Sequence, residues 1–162
     1  MPHPALQTVS TAAPAGNTDT LTLNVPSGTT DGDYLLALVT AFHNRIVTPP
    51  GGWTEIEGLS DSGPFVQIRA YERIASSEPA SYDWTQDSAN PFGGVMLRID
   101  DQHPTTPVDA TDAAVDPDTN DTTATMPGVL ATTPLVLLVC AYVFTTGTTG
   151  NCTLTLNNPQ TG

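Results

Sequence analysis

Nine consecutive residues, Tyr34-Leu-Leu-Ala-Leu-Val-Thr-Ala-Phe42, carry a single polar side chain, Thr40. A strand with water on one side alternates apolar and polar residues, whereas one that is apolar on both faces belongs in a sheet covered on both sides or at the centre of a sandwich. The run is entered through a polar loop, Pro26-Ser-Gly-Thr-Thr-Asp-Gly-Asp33, and left through His43-Asn44-Arg45 and a double-proline, double-glycine turn, Thr48-Pro-Pro-Gly-Gly-Trp53. Pro134-Leu-Val-Leu-Leu-Val-Cys-Ala-Tyr-Val-Phe144 repeats the pattern. The two runs predict a pair of inner strands.

Shorter segments supply the rest of a sheet protein. Leu21, Leu23 and Val25 alternate with Thr22 and Asn24, and Val66 to Ile74 places Val66, Ile68, Ala70 and Ile74 on one face. Gln67, Arg69, Tyr71 and Arg73 take the other face, while Glu72 interrupts the apolar one and suggests a strand end or a bulge. A strand is expected over Trp53 to Glu57, with a turn cluster over Gly58 to Pro64, and others over Ser81 to Thr85, Phe92 to Ile99, Thr122 to Met126 and Cys152 to Leu156. The paired Gly93-Gly94 suggests a bulge or the close approach of another backbone. Asp100 to Asp121 is acidic, proline-punctuated and without periodicity, as functional or poorly ordered loops are. No window keeps a helical apolar period, and there is no internal repeat of 20 to 50 residues. The expected fold is all-β, a two-sheet antiparallel β-sandwich of jelly-roll type with eight to ten strands.

Composition agrees. Charged residues make up 13% of the 162, about half the usual share. Threonine fills roughly one position in six, and its branched Cβ favours strands over helices. Seventeen acids, thirteen of them aspartate, face four arginines and no lysine, for a net charge of -13. Such a charge repels phosphate backbones and anionic lipid surfaces, so neither nucleic acid nor membrane is expected as a partner. It reads first as an acidic, soluble surface and second as adaptation of a halophilic host to high salt. No window approaches the roughly 18 apolar residues of a membrane span, and Met1-Pro-His-Pro lacks the layout of a signal peptide. Residues 1–20 read as an N-terminal arm or edge strand that docks on a neighbouring subunit, and residues 21–162 as one sandwich domain.

Few residues suggest chemistry. Asp116, Asp118, Asn120 and Asp121 place oxygen ligands at the spacing used by calcium loops, without the glycine and distal glutamate of an EF-hand; a divalent cation and a solvated turn are the competing readings. Asp31 and Asp33, around Gly32, read as turn formers at the entry to the inner strand. His3, His43 and His103 lie too far apart in sequence for a metal motif, and Ser60 and Ser62 do not form a nucleophile elbow. Trp53, Trp84 and Tyr82, with Tyr71, read either as caps of the sandwich core or as a platform on which a host surface glycan stacks. Cys140 and Cys152 read as buried thiols, with a disulfide as the alternative: a hairpin centred near Gly147 and Thr148 would set Cys152 opposite a residue near Phe144. Asn120 and Asn151 begin N-glycosylation sequons of little weight in so threonine-rich a chain. No catalytic residues are expected.

Four stretches carry a resemblance when taken in order: Pro26 to Val39, Thr48 to Thr54, Tyr71-Glu-Arg-Ile-Ala-Ser-Ser-Glu-Pro-Ala-Ser-Tyr-Asp-Trp-Thr85, and Pro104-Thr-Thr-Pro-Val-Asp109. Over residues 20 to 145 the chain resembles a jelly-roll-like β-sandwich domain common in virion proteins of tailed viruses and in prokaryotic surface proteins. The resemblance implies a non-enzymatic module of capsid decoration, turret, tail or fibre. Its expected partners are other virion proteins, such as major capsid or tail proteins, and further copies of itself in a symmetric homo-oligomer; its expected location is the virion. An adhesion or carbohydrate-binding module is the alternative. Relatives have a shorter segment at Asp100-Asp-Gln-His103 and run on through another strand, so the sandwich is expected to be completed by further residues or by a neighbour.

Overall fold

The computed structural model describes residues 4–43, 45–60, 66–102, 106–108 and 111. These form eight strands: β1 (Ala5–Ala12), β2 (Thr18–Asn24), β3 (Tyr34–Phe42), β4 (Val47–Thr48), β5 (Thr54–Ser60), β6 (Val66–Ile74), β7 (Ser81–Asn90) and β8 (Phe92–Asp100). There is no helix among the described residues. The larger sheet has the order β1-β8-β3-β6-β5 and the smaller the order β2-β7-β4, with every pairing antiparallel. The chain changes sheet at every connection except the β5–β6 hairpin, which makes the fold a two-sheet sandwich.

β3 is central to the larger sheet, paired on one side with β6 and on the other with β8. Its inward residues Leu35, Ala37, Val39 and Ala41 are buried against Leu21 and Leu23 of β2 and Trp84 of β7. Small and large residues alternate across the layer. Ala37 lies between Tyr71 and Met96 in the register, and Ala41 between Gln67 and Phe92, so β3 leaves the room that the bulky neighbours fill. Full burial of an apolar side chain such as Met96 or Phe92 contributes about 1.5–3 kcal/mol.

Several local expectations are corrected. Glu72 is no bulge: β3 and β6 stay in register from Tyr34–Ile74 to Phe42–Val66, and Glu72 remains in the strand by accepting a hydrogen bond of 2.9 Å from the Tyr34 hydroxyl. The face of β6 that looked polar is the one turned into the sandwich, where Tyr71 and Gln67 are buried. The Gln67 amide can be buried because it donates to the Arg45 carbonyl at 2.5 Å. β5 begins after Trp53 and continues through Gly58 to Ser60, and its register slips between Glu55 and Glu57. β7 runs to Asn90, well past Thr85, and Val47–Thr48, read as loop and turn, pairs with it as β4.

Of the two readings of Gly93-Gly94, close approach is the one observed. Register with β3 is unbroken there, and a Cβ on Gly94 would stand 3.0 Å from the Leu38 carbonyl and 3.1 and 3.2 Å from the side chains of Leu21 and Leu23. β1 is an edge strand of the larger sheet, and its Thr8 and Ser10 hydroxyls donate to the carbonyls of Ser27 and Asn24, linking it to the end of β2 and the loop beyond. The expected strands Thr122 to Met126, Pro134 to Phe144 and Cys152 to Leu156 lie outside the described residues.

Candidate functional site

The sequence motifs converge at one end of the sandwich, where three loops are held by two arginines. The first clamp is built on Asp33, at the entry to β3. Its Oδ2 accepts from Arg98 Nε at 2.7 Å, from the Thr30 amide at 2.7 Å and from the Thr30 hydroxyl at 3.2 Å. Burial pushes the Asp33 carboxyl up, but the Thr30 amide and the Arg98 guanidinium outweigh it and hold the group below the ordinary carboxylate range. Gly28 lies beside the same guanidinium with φ 78°, and a Cβ there would stand 3.1 Å from Arg98 Nη1. Glycine is required twice over, by the left-handed backbone and by the arginine.

The β2–β3 loop is then tied to the β6–β7 turn by backbone. The Gly32 amide donates to the Ala75 carbonyl at 2.9 Å, and the Ala75 amide to the Asp33 carbonyl at 2.8 Å. Asp31 Oδ1 accepts from the Ser77 amide at 2.6 Å. Asp31 and Asp33 thus serve as the turn formers expected at this entry.

The second clamp is built on Arg73, at the end of β6. Its Nη2 lies 2.9 Å from Glu78 Oε1, and Glu78 also accepts from the Tyr82 hydroxyl at 2.6 Å and from the Ser76 amide at 2.8 Å. The guanidinium carbon sits 5.2 Å from the Tyr82 ring centroid and 6.0 Å from that of Trp53. Gly52 repeats the role of Gly28, with φ 85° and a Cβ position 3.1 Å from Arg73 Nη1. Burial, reinforced by the hydrogen bond to Glu78 and its charge, pushes the Tyr82 hydroxyl up to about 12.

Beneath this clamp the aromatic rings pack edge to face. Trp53 and Trp84 are 5.1 Å apart at 62°, and Trp53 and Tyr82 are 5.4 Å apart at 85°. Trp84 is 0% exposed and Trp53 7%, with Tyr82 half-buried against them. Stacking a pyranose requires an open ring face, and burial leaves little of the Trp53 and Trp84 rings exposed. Trp53 and Trp84 thus cap the core, with Tyr82 half-buried against them.

Beside the second clamp is a cleft of about 320 Å³ lined by Tyr34, Gly52, Thr54, Glu72, Arg73, Ile74 and Pro107. In its lining Tyr34 donates to Glu72 and Arg73 pairs with Glu78 through Nη2, while Arg73 Nε is buried without a hydrogen-bond partner. Burial is the main cause that raises the Tyr34 hydroxyl, and Glu72 adds to it. The cleft is lined from β3, β5 and β6 together with Gly52 and Pro107.

Other expected site residues fall elsewhere. Asp116, Asp118, Asn120 and Asp121, together with His3, His103, Cys140, Cys152 and Asn151, lie outside the described residues. His43 sits in the loop after β3 with φ 64° and packs edge-on against Phe42 at 4.4 Å. Among the described residues no three His, Cys, Asp or Glu side chains stand close enough together to hold a metal ion. Arg98 and Arg73 were not singled out from sequence; the signal available was four arginines and no lysine, a cation chosen for planar, forked contacts. Searches of family models, curated proteins and solved structures return no match to this chain.

Proposed function

We propose that this chain is a non-enzymatic structural protein on the exterior of a tailed virus particle, a capsid decoration, turret, tail or fibre component. One observation carries the reading. Within three of the four stretches that carry the sequence resemblance, Gly28, Asp33, Gly52, Trp53, Arg73, Glu78, Tyr82 and Trp84 are engaged with one another or with Arg98 in bracing loops and core. A motif set devoted to loop bracing suits a module whose task is to hold a shape and present surfaces, with partners among capsid or tail proteins and further copies of itself. The adhesion reading is less favoured, because Trp53 and Trp84, two of the three rings proposed to stack on glycan, are buried.

The test is made on particles purified from a culture that produces this chain. Peptides of the chain should be found in the particles by mass spectrometry, and antibody to it should decorate intact particles in the electron microscope. Particles free of the chain would overturn the proposal.

A further inference from the structure

The two sheets differ on their outward faces. The smaller sheet is covered with exposed polar residues such as Thr22, Asn24, Asp83 and Thr85, as expected of a sandwich face in water. The larger sheet is apolar there. Tyr34, Leu36, Leu97 and Ile99 are buried on that side, and Leu38, Ile56, Ala70 and Val95 pack half-buried around them. Among the described residues no third layer lies over this face, so its burial requires a further cover.

The cover begins within the described residues. Val108 packs on the cluster, and Pro107 lines the adjoining cleft with Tyr34 and Ile74. The chain therefore passes onto this face just before its remaining 54 residues, 109–162. Those residues hold one long uncharged apolar run, the eleven residues Pro134 to Phe144, which itself needs burial on both sides. Extended, eleven residues reach about 35 Å, while the outward residues from Tyr34 to Leu38 span about 13 Å of β3, so length is no obstacle.

We propose that the outer face of the larger sheet is the docking surface of the chain's own Pro134–Phe144 segment, which lies over β6, β3 and β8 and makes the larger sheet the middle layer of three. The inference is independent of the virion reading, since it concerns only how the chain covers itself.

Disulfide mapping tests it in the full-length chain. Cys140 lies inside the proposed segment, and C152S leaves it as the sole native thiol. Second thiols are introduced one at a time at half-buried positions on the outer face, by L38C, A70C and V95C, and by T85C on the outer face of the smaller sheet as a control. After mild oxidation, peptide mapping should find Cys140 joined within one chain to at least one of the three face positions and not to position 85. If Cys140 links to position 85, or to none of the three in chains whose unfolding transition is unchanged, the proposal fails. Mixing isotopically light and heavy chains before oxidation separates docking within a chain from exchange between copies; a predominance of mixed peptides would also overturn it.

Discussion

At the scale of single residues, the glycines make the sharpest case. Gly28, Gly32 and Gly52 all adopt positive φ, but only Gly28 and Gly52 have an arginine where a Cβ would go; nothing lies within 4 Å of that position at Gly32. Replacing any of the three by alanine incurs the left-handed backbone penalty of about 1 kcal/mol. G28A and G52A should lose more than G32A, because the guanidinium of Arg98 or Arg73 must also give way by a few tenths of an ångström. Thermal unfolding of the three variants checks this; equal losses would mean that the arginines are not clamped. Asp33 gives a pH signature. Its carboxyl is held below 3.8 in the folded chain, so its stabilisation is fully present above that value and is lost as pH falls through the folded pKa. D33N should cost about 1–3 kcal/mol at neutral pH and less and less below about pH 4. Denaturant titrations of both proteins across the acid range measure the convergence.

At the scale of elements, the spacing between the sheets depends on Gly94. G94A would drive a methyl group against the Leu38 carbonyl at 3.0 Å and into Leu21 and Leu23 on the facing sheet, an overpacking that costs about 1–3 kcal/mol. G93A, whose Cβ would meet only the Ala12 carbonyl and the Thr40 hydroxyl at 3.5 Å, should be close to neutral. Chemical denaturation of the pair reads the difference directly. β3 and β6 were legible from sequence with the bounds they have in the structure, because a run apolar on both faces and a nine-residue alternation broken only at Glu72 each favour one strand placement. What was not legible was direction. Alternation in β6 separates Ile68, Ala70 and Ile74 from Gln67, Arg69, Tyr71 and Arg73 without saying which set faces the other sheet, and the inward set proved to be the one with the larger, hydrogen-bonding side chains. Of the apolar set, Ala70 packs on a second cluster, which alternation in one strand has no means of announcing. β4 was missed because two residues are too short to show a period, and the slip between Glu55 and Glu57 because it depends on the partner strand. The aromatic residues were legible as a group, but their burial comes from a clamp made of residues 52, 73, 78 and 82, which only the fold brings together.

For the whole molecule, charge is the dominant long-range term. Three of the four arginines are committed to ion pairs with Glu55, Glu78 and Asp33, so the solvent meets a surface governed by the remaining acids of a chain with net charge -13. Screening should relieve that repulsion, and the unfolding temperature should rise between low salt and about 1 M NaCl, where the Debye length is near 3 Å. A fall over the same range would mean that the three ion pairs outweigh the repulsion. The central claim is that the loops at the clamped end belong to the rigid frame. Residue-resolved amide hydrogen exchange tests it most directly, at the amides of Thr30, Gly32, Ala75, Ser76 and Ser77, each of which donates to a partner in the clamp network. These loop amides should exchange slowly, alongside those of β3 and β6. Exchange at the rates of open loops, while the strands stay protected, would contradict it.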